Sequence, residues 1–386
     1  MTIKIIEQKN RSQPRNELGI VLSWIAVLLL VYLLICGVGT IGGGFKLAAG
    51  SRAKELFTFA ANPIAGLIVG TLCTALIQSS STVTSIIVGL VAGGLPVSTA
   101  VPMVMGANIG TTVTNTLVSL GHVKNRTEFR RAFSAATIHD FFNLLCVLIF
   151  LPIEIATGFL QKTGALFAGM FIGTSGTDIK SFNLVKAATK PVTGLLKDLA
   201  HPLPNPYDGM LLIVIGISLI FLAIYYIGKL LKTLMVGRAK KMLKTAIGRS
   251  PLAGILSGTF ATVLVQSSST TTSLVIPLAG TGILTLQEIY PFTLGANIGT
   301  CITALLAASA VPENQAAALE IASIHLLFNL LGTIIIFGIP FLRKLPILGA
   351  EKLAQVASKH KYLAFVYIIC VFFLIPAVLL TITGSK

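Results

Sequence analysis

The chain has 386 residues, 54% of them hydrophobic and only 11% charged, with a mean hydropathy of +0.88. Soluble domains carry roughly 25% charged residues, so the composition excludes a soluble globular protein and requires a membrane protein. The formal charge of +16 comes from Lys and Arg that lie between the apolar runs, which excludes a nucleic-acid-binding surface and fits segments facing anionic headgroups.

Lys4, Lys9, Arg11 and Arg15 precede the first apolar run, residues 18–38. That run has the length of about 20 residues a spanning helix needs. It exceeds a signal-peptide core and lacks a cleavage-like site, so a retained first helix is expected, with its basic tail cytoplasmic. Residues 45–61, with Lys46, Arg52 and Lys54, are read as an interfacial helix on the outer face. From Asn62 to His122 there is no charged residue, yet the apolar pieces are short: 64–77, 83–91 and 95–105. Such pieces read as re-entrant or interrupted helices, with breaks expected at Gly93, Gly94, Pro96, Pro102, Gly106 and Gly110. The string QSSST (78–82) separates the first two pieces, and GANIGT (106–111) follows the third. Plain spans are expected at 132–151, 210–226, 317–337 and 362–382, with an extracellular connection of partly helical character over 152–208. The Lys- and Arg-rich stretch from Lys229 to Arg249 is expected to be cytoplasmic. Cys36, Cys73, Cys146, Cys301 and Cys370 have no metal-ligand spacing and read as small apolar residues.

The second half repeats the first. NPIAGLIVGTLCTALIQSSSTVTS (62–85) aligns without a gap to SPLAGILSGTFATVLVQSSSTTTS (250–273), with 14 of 24 positions identical. GANIGT returns at 295–300, and HDFFN (139–143) is echoed by HLLFN (325–329). Repeat one is placed at 62–151 and repeat two at 250–338, within one transport domain covering 1–386. The first copy starts from the outer face and the second from the inner, and basic residues follow GANIGT only in copy one (Lys124, Arg126, Arg130, Arg131). The fold class expected is therefore an all-α polytopic membrane protein of two inverted-topology repeats, whose interrupted helices carry the QSSS motifs.

Five polar side chains in a row are untenable against lipid, because an unpartnered hydroxyl or amide costs about 2–7 kcal/mol in an apolar medium. They must face one another or a ligand. Ser is an N-cap residue, so half-helices starting after QSSST would aim N–H groups at that ligand; Asn108 and Asn297 can do the same, with glycines allowing close backbone approach. The set offers donors for an oxyanion and oxygen lone pairs for a hard cation such as sodium, with no Lys, Arg, Asp or Glu. An anion in such a site is best neutralised by cations that enter with it. His139, Asp140 and His325 are ionisable groups in membrane segments and read as a candidate proton relay; alternatively the two histidines read as partners of backbone freed at the helix breaks, and Asp140 lacks a symmetric counterpart because Leu326 stands there.

The two QSSS motifs, the GANIGT strings and NRTEFRRAFSAATIHDFFNLLCVLIFLPIE (125–154) resemble the type II sodium-dependent phosphate cotransporters, and the resemblance covers roughly residues 60–155 and 250–340. It implies sodium-coupled uptake of inorganic phosphate by alternating access, without an organic cofactor, in a plasma membrane such as the bacterial inner membrane. The phosphate site implied comprises Gln78, Ser79, Ser80, Ser81, Gln266, Ser267, Ser268 and Ser269, with Asn108 and Asn297. Sodium would be held by oxygens of Ser79, Thr82, Thr111, Asn143, Ser267, Thr270, Thr300, Asn329 and Asn125. Here Asn125 stands where electrogenic animal members carry the Asp of a Gln-Ala-Gly-Asp string, which leaves the stoichiometry open. The oligomeric state is also open, a dimer included. Three rival functions stand against this reading. A passive anion channel, or a symporter of another oxyanion such as sulfate, would use the same donors. An intramembrane hydrolase using Ser79 or Ser80 with His139 is disfavoured, since no GxSxG elbow is present and one nucleophile does not need duplicate machinery.

Overall fold

The computed structural model describes residues 17–49, 62–173, 180–309, 311 and 314–384; the basic N-terminal tail, and residues 50–61 of the expected interfacial helix, lie outside them. Every regular element among the described residues is helical, and six helices are long and apolar enough to cross a membrane. The chain is an all-α polytopic membrane protein.

The first helix, α1 (Glu17–Ala49), runs through Phe45–Ala49, so these residues extend a long helix and do not begin a separate interfacial one. Repeat one opens with a hairpin of two short helices, α2 (Pro63–Ile77) and α3 (Ser80–Ala92). Gly93 caps α3, Gly94 takes φ +118°, and Pro96 caps α4 (Val97–Gly110). The breaks expected at Pro102 and Gly106 do not occur; both lie inside α4. The reason is packing. A side chain at Gly106 or Gly110 would strike the carbonyl of Leu67 or Thr71 on α2, so these glycines give α4 a flat face for close contact between backbones. A short α5 (Val113–Ser119) and a 3₁₀ turn lead to α6 (Arg126–Thr157). Pro152 lies inside α6, and Gly158 ends it in the left-handed region at φ +61°.

The connection between the halves begins at that turn and contains two helices, α7 (Phe159–Gly173) and α8 (Lys180–Ala200). The following α9 (Tyr207–Ala246) packs antiparallel on α1, with Gly37 against the Gly216 carbonyl and Gly44 against that of Gly209. Repeat two has the same order with different breaks. Its hairpin is α10 (Pro251–Val265), α11 (Ser268–Ser273) and α12 (Ile276–Gly280), and the returning arm divides just before Pro277. Then α13 (Leu286–Ser309) passes without interruption through its GANIGT. Gly295 and Gly299 face the carbonyls of Ile255 and Thr259 on α10, as Gly106 and Gly110 face α2. Next come α14 (Gln315–Gly332), extended by a π turn to Phe337, α15 (Pro340–Lys359), α16 (Tyr362–Ile369) and α17 (Ile375–Gly384). The sequence-equivalent helices α6 and α14 lie antiparallel: Phe150 meets Phe328 edge to face at 5.7 Å, while Cys146, one turn earlier, meets Gly332, one turn later.

Candidate functional site

Each letter of QSSST has a distinct structural task. Gln78 ends α2 in the left-handed region (φ 56°), where its N–H donates to Thr74 O, and Ser79 switches to extended backbone (φ −147°) as the N-cap of α3. Gln266 (φ 55°) and Ser267 (φ −156°) do the same between α10 and α11. Ser79 Oγ accepts from Thr82 N at 3.3 Å and shares a hydrogen bond with Thr82 Oγ1 at 2.8 Å; Ser267 Oγ accepts from Thr270 N at 3.2 Å and donates to Thr270 Oγ1 at 3.0 Å. Ser80, Ser81, Ser268 and Ser269 are buried in the first turns of the returning helices. A left-handed non-glycine residue costs about 1–3 kcal/mol, a strain concentrated at functional sites. Two copies of this chain's motif hold it at the same letter.

The two tips meet. Gln78, Ser79 and Thr82 of the first and Gln266, Ser267 and Thr270 of the second line one cavity of about 530 Å³, closed on another side by Phe221, Ile224, Tyr225 and Lys229 of α9. That is a size suited to a small solute. The Gln266 side chain is tied down, its Nε2 donating to Val263 O at 2.7 Å and its Oε1 accepting from Thr303 at 2.7 Å. Gln78 is exposed to the cavity. The expectation of a site without charged side chains is corrected by Lys229, which stands on the cavity wall. Its place after an apolar run disguised it as the start of the basic flank, and only the packing of α9 against both tips brings it in.

Asn108, Asn143, Asn297 and Asn329 are gathered elsewhere, in a buried cluster with both histidines. Asn108 Nδ2 donates to Asn329 Oδ1 at 3.2 Å and its Oδ1 accepts from His325 Nε2 at 3.2 Å. The other copy mirrors this: Asn297 Nδ2 donates to Asn143 Oδ1 at 2.8 Å, and its Oδ1 accepts from His139 Nε2. Each triplet takes its central Asn from one repeat and its His and second Asn from the other. Asn143 Nδ2 also donates to Asn108 O at 2.8 Å, and Asn329 Nδ2 to His325 O at 3.0 Å. The histidine Nε2 atoms therefore bond asparagine side chains of the opposite repeat, not backbone freed at the breaks. Neither Asn108 nor Asn297 lines the cavity between the tips. The glycines beside them admit a neighbouring helix, where close approach of a ligand was expected.

Of the remaining expected sodium ligands, Thr111 and Thr300 donate within their own helices, to Ala107 O at 2.9 Å and Ala296 O at 3.1 Å. Asn125 is an exposed N-cap of α6, accepting from Thr127 N at 3.0 Å and Glu128 N at 3.3 Å, away from both clusters. Asp140 is buried and accepts from Tyr367 Oη at 2.7 Å. Thr303 and Tyr367 are partners that sequence reasoning missed; their contacts span 37 and 227 residues and have no local signal.

A helical membrane protein in which two broken hairpins bring matching Gln-Ser-Ser-Ser-Thr tips to one small-solute cavity belongs to the class of integral membrane proteins built around a central polar site. The chain belongs to the Na+/Pi-cotransporter family, whose model matches residues 33–175 and 219–349. It is similar to the sodium-dependent phosphate transport protein 2A of Ovis aries, with 34% identity over 95% of this chain and 68% of that protein. Protein 2B of Homo sapiens is 34% identical over 93% of this chain and 64% of its own length, and protein 2A of Rattus norvegicus 33% identical over 98% and 71%. The chain thus spans about two thirds of the length of the curated relatives it matches. No solved structure matches it.

Proposed function

We propose that this chain is a secondary active transporter that takes up inorganic phosphate together with sodium ions by alternating access. The observation that carries the reading is the single cavity lined by both QSSST tips and Lys229. Serine hydroxyls and the Gln78 carboxamide supply donors that a phosphate oxygen accepts, and the first turn of α3 adds the N–H groups of Ser80 and Ser81, which have no partner inside the helix. One lysine balances only part of a phosphate dianion. The remaining charge falls to sodium, whose hard character suits the hydroxyl oxygens of Ser79, Thr82, Ser267 and Thr270. The sodium-dependent phosphate transport named for the relatives supports the same solutes.

In this reading Asn143 and Asn329 contribute the second lone pairs of their carboxamide oxygens to sodium, while Asn108 and Asn297 keep the repeats in register. The repeats, 62–151 and 250–338, are inverted across the membrane, supported by the antiparallel contact of α6 with α14. The N-terminus is cytoplasmic and the protein a carrier of the plasma membrane, without catalytic chemistry. Radiolabelled phosphate uptake into proteoliposomes tests this directly. With external sodium replaced by choline, uptake is expected to collapse. Uptake that persists unchanged in choline would establish a passive path instead, and uptake displaced by sulfate as readily as by phosphate would reassign the substrate.

A further inference from the structure

A second cavity, about 500 Å³, lies among the first turns of α6, the stretch from α12 into α13 and the last turns of α15, and shares no lining residue with the cavity between the tips. Arg130 and Arg131 of α6 line it, with Gln287, Gln355 and Glu351. Neither guanidinium is ion-paired with a carboxylate among the described residues. Arg131 is laid against the backbone of Gly282, whose φ of +80° favours glycine and where a Cβ would stand 2.6 Å from Arg131 Nη1, the mobile end of that side chain. The two other hydroxyl side chains on the wall are already committed: Ser134 donates to Arg131 O at 2.9 Å, and Thr285 donates to Glu288 at 2.7 Å. What remains free to meet a ligand is two guanidinium forks, two carboxamides and one carboxylate.

The position fixes the setting. α6 has 32 residues and is thus roughly 48 Å long, well beyond the ~30 Å hydrocarbon layer, and its first turns carry Arg126, Glu128, Arg130 and Arg131, so they stand at headgroup level. Paired arginines at that depth favour phosphate oxygens. A carboxylate in the same pocket repels a bare anion but accepts from a hydroxyl. We propose that this cavity binds a hydroxyl-bearing phosphate, with Arg130 and Arg131 on the phosphate oxygens and Glu351 accepting from the hydroxyl. Two molecules offer this chemistry: dihydrogen phosphate, and the headgroup of phosphatidylglycerol.

The test is thermal unfolding of the purified full-length protein in neutral detergent, carrying Ser79→Ala and Ser267→Ala so that any phosphate response from the tips is suppressed. One arm titrates inorganic phosphate, the other short-chain phosphatidylglycerol, each against Arg130→Gln/Arg131→Gln. A saturable rise in melting temperature in either arm, with apparent affinity falling about tenfold or more in the arginine variant, supports the site and names its source. No saturable rise in either arm, or an equal rise in the arginine variant, overturns it. Glu351→Gln guards against a variant that merely misfolds. In the lipid arm it is expected to abolish the preference for phosphatidylglycerol over phosphatidylmethanol, which lacks the hydroxyls; an undiminished preference assigns Glu351 no part in recognition and overturns the hydroxyl-bearing ligand. In the phosphate arm it is expected to weaken binding while leaving the melting temperature without ligand unchanged; binding that is equal or tighter, as the loss of a merely repelling carboxylate would give, overturns acceptance of the hydroxyl by Glu351.

Discussion

Gln78 and Gln266 occupy the same backbone conformation and do different things with their side chains. Gln266 is fastened to Val263 and Thr303, which makes it a positioning residue for the second tip. Gln78 presents its carboxamide to the cavity. The αL turn itself would be met by glycine without strain, so Gln78→Gly separates the two reasons for having glutamine there. Replacing it removes a backbone cost of about 1–2 kcal/mol and the carboxamide proposed to donate to phosphate at once. The melting temperature is therefore expected to stay level or rise, while the apparent affinity for phosphate in the uptake assay falls roughly fivefold or more. A variant with unchanged affinity would reduce Gln78 to a turn residue. Lys229 belongs to the same scale: one cation among hydroxyls turns a generic polar cavity into one that favours anions, and its field reaches further than any hydroxyl.

The glycines of GANIGT matter for what they leave out. Gly106 and Gly110 on α4, and Gly295 and Gly299 on α13, each place a bare backbone over carbonyls of α2 or α10, so every hairpin is locked to the helix carrying the buried asparagine. Gly295→Val is expected to cost about 1–3 kcal/mol through overpacking, lowering the melting temperature in detergent, whereas Gly338→Ala, with open space around its site, should leave it unchanged. Equal melting of the two variants would remove the close approach as a source of stability. At this scale the sequence was legible where the polar pattern interrupted an apolar run: the hairpins at 63–92 and 251–280 follow from QSSST and its flanks. GANIGT misled because glycine and proline signal a break when read alone, and a neighbouring helix, which no local pattern reveals, converts that signal into a packing face. The connection between the repeats was read as only partly helical. Its helix α8 carries polar residues throughout and α7 has Gln161, Lys162 and Thr163 near its start, and α7 is held in place by a distant partner, with Gly164 packed against Ile324.

At the scale of the whole molecule, the cluster of four asparagines and two histidines is built so that neither repeat is complete alone. Asn108 depends on His325 and Asn329, Asn297 on His139 and Asn143. Interhelical hydrogen bonds in membranes contribute about 0.6–2 kcal/mol each, enough for a mirrored set to fix the register of the two halves. The antiparallel contact of α6 with α14 fits copies that enter the membrane from opposite faces, as proposed, and the equivalent turns after the two hairpins report on it. Pro96 in the first turn and Ile283 in the second are both exposed. Cys73 and Cys370, the native thiols that are only partly buried, would first be changed to Ser. A single cysteine at Pro96 should then react with a membrane-impermeant maleimide added outside intact cells, whereas one at Ile283 should react only after the inner face is opened. Labelling of both from the same side would mean parallel copies, and the antiparallel packing of α6 on α14 would then need a different origin.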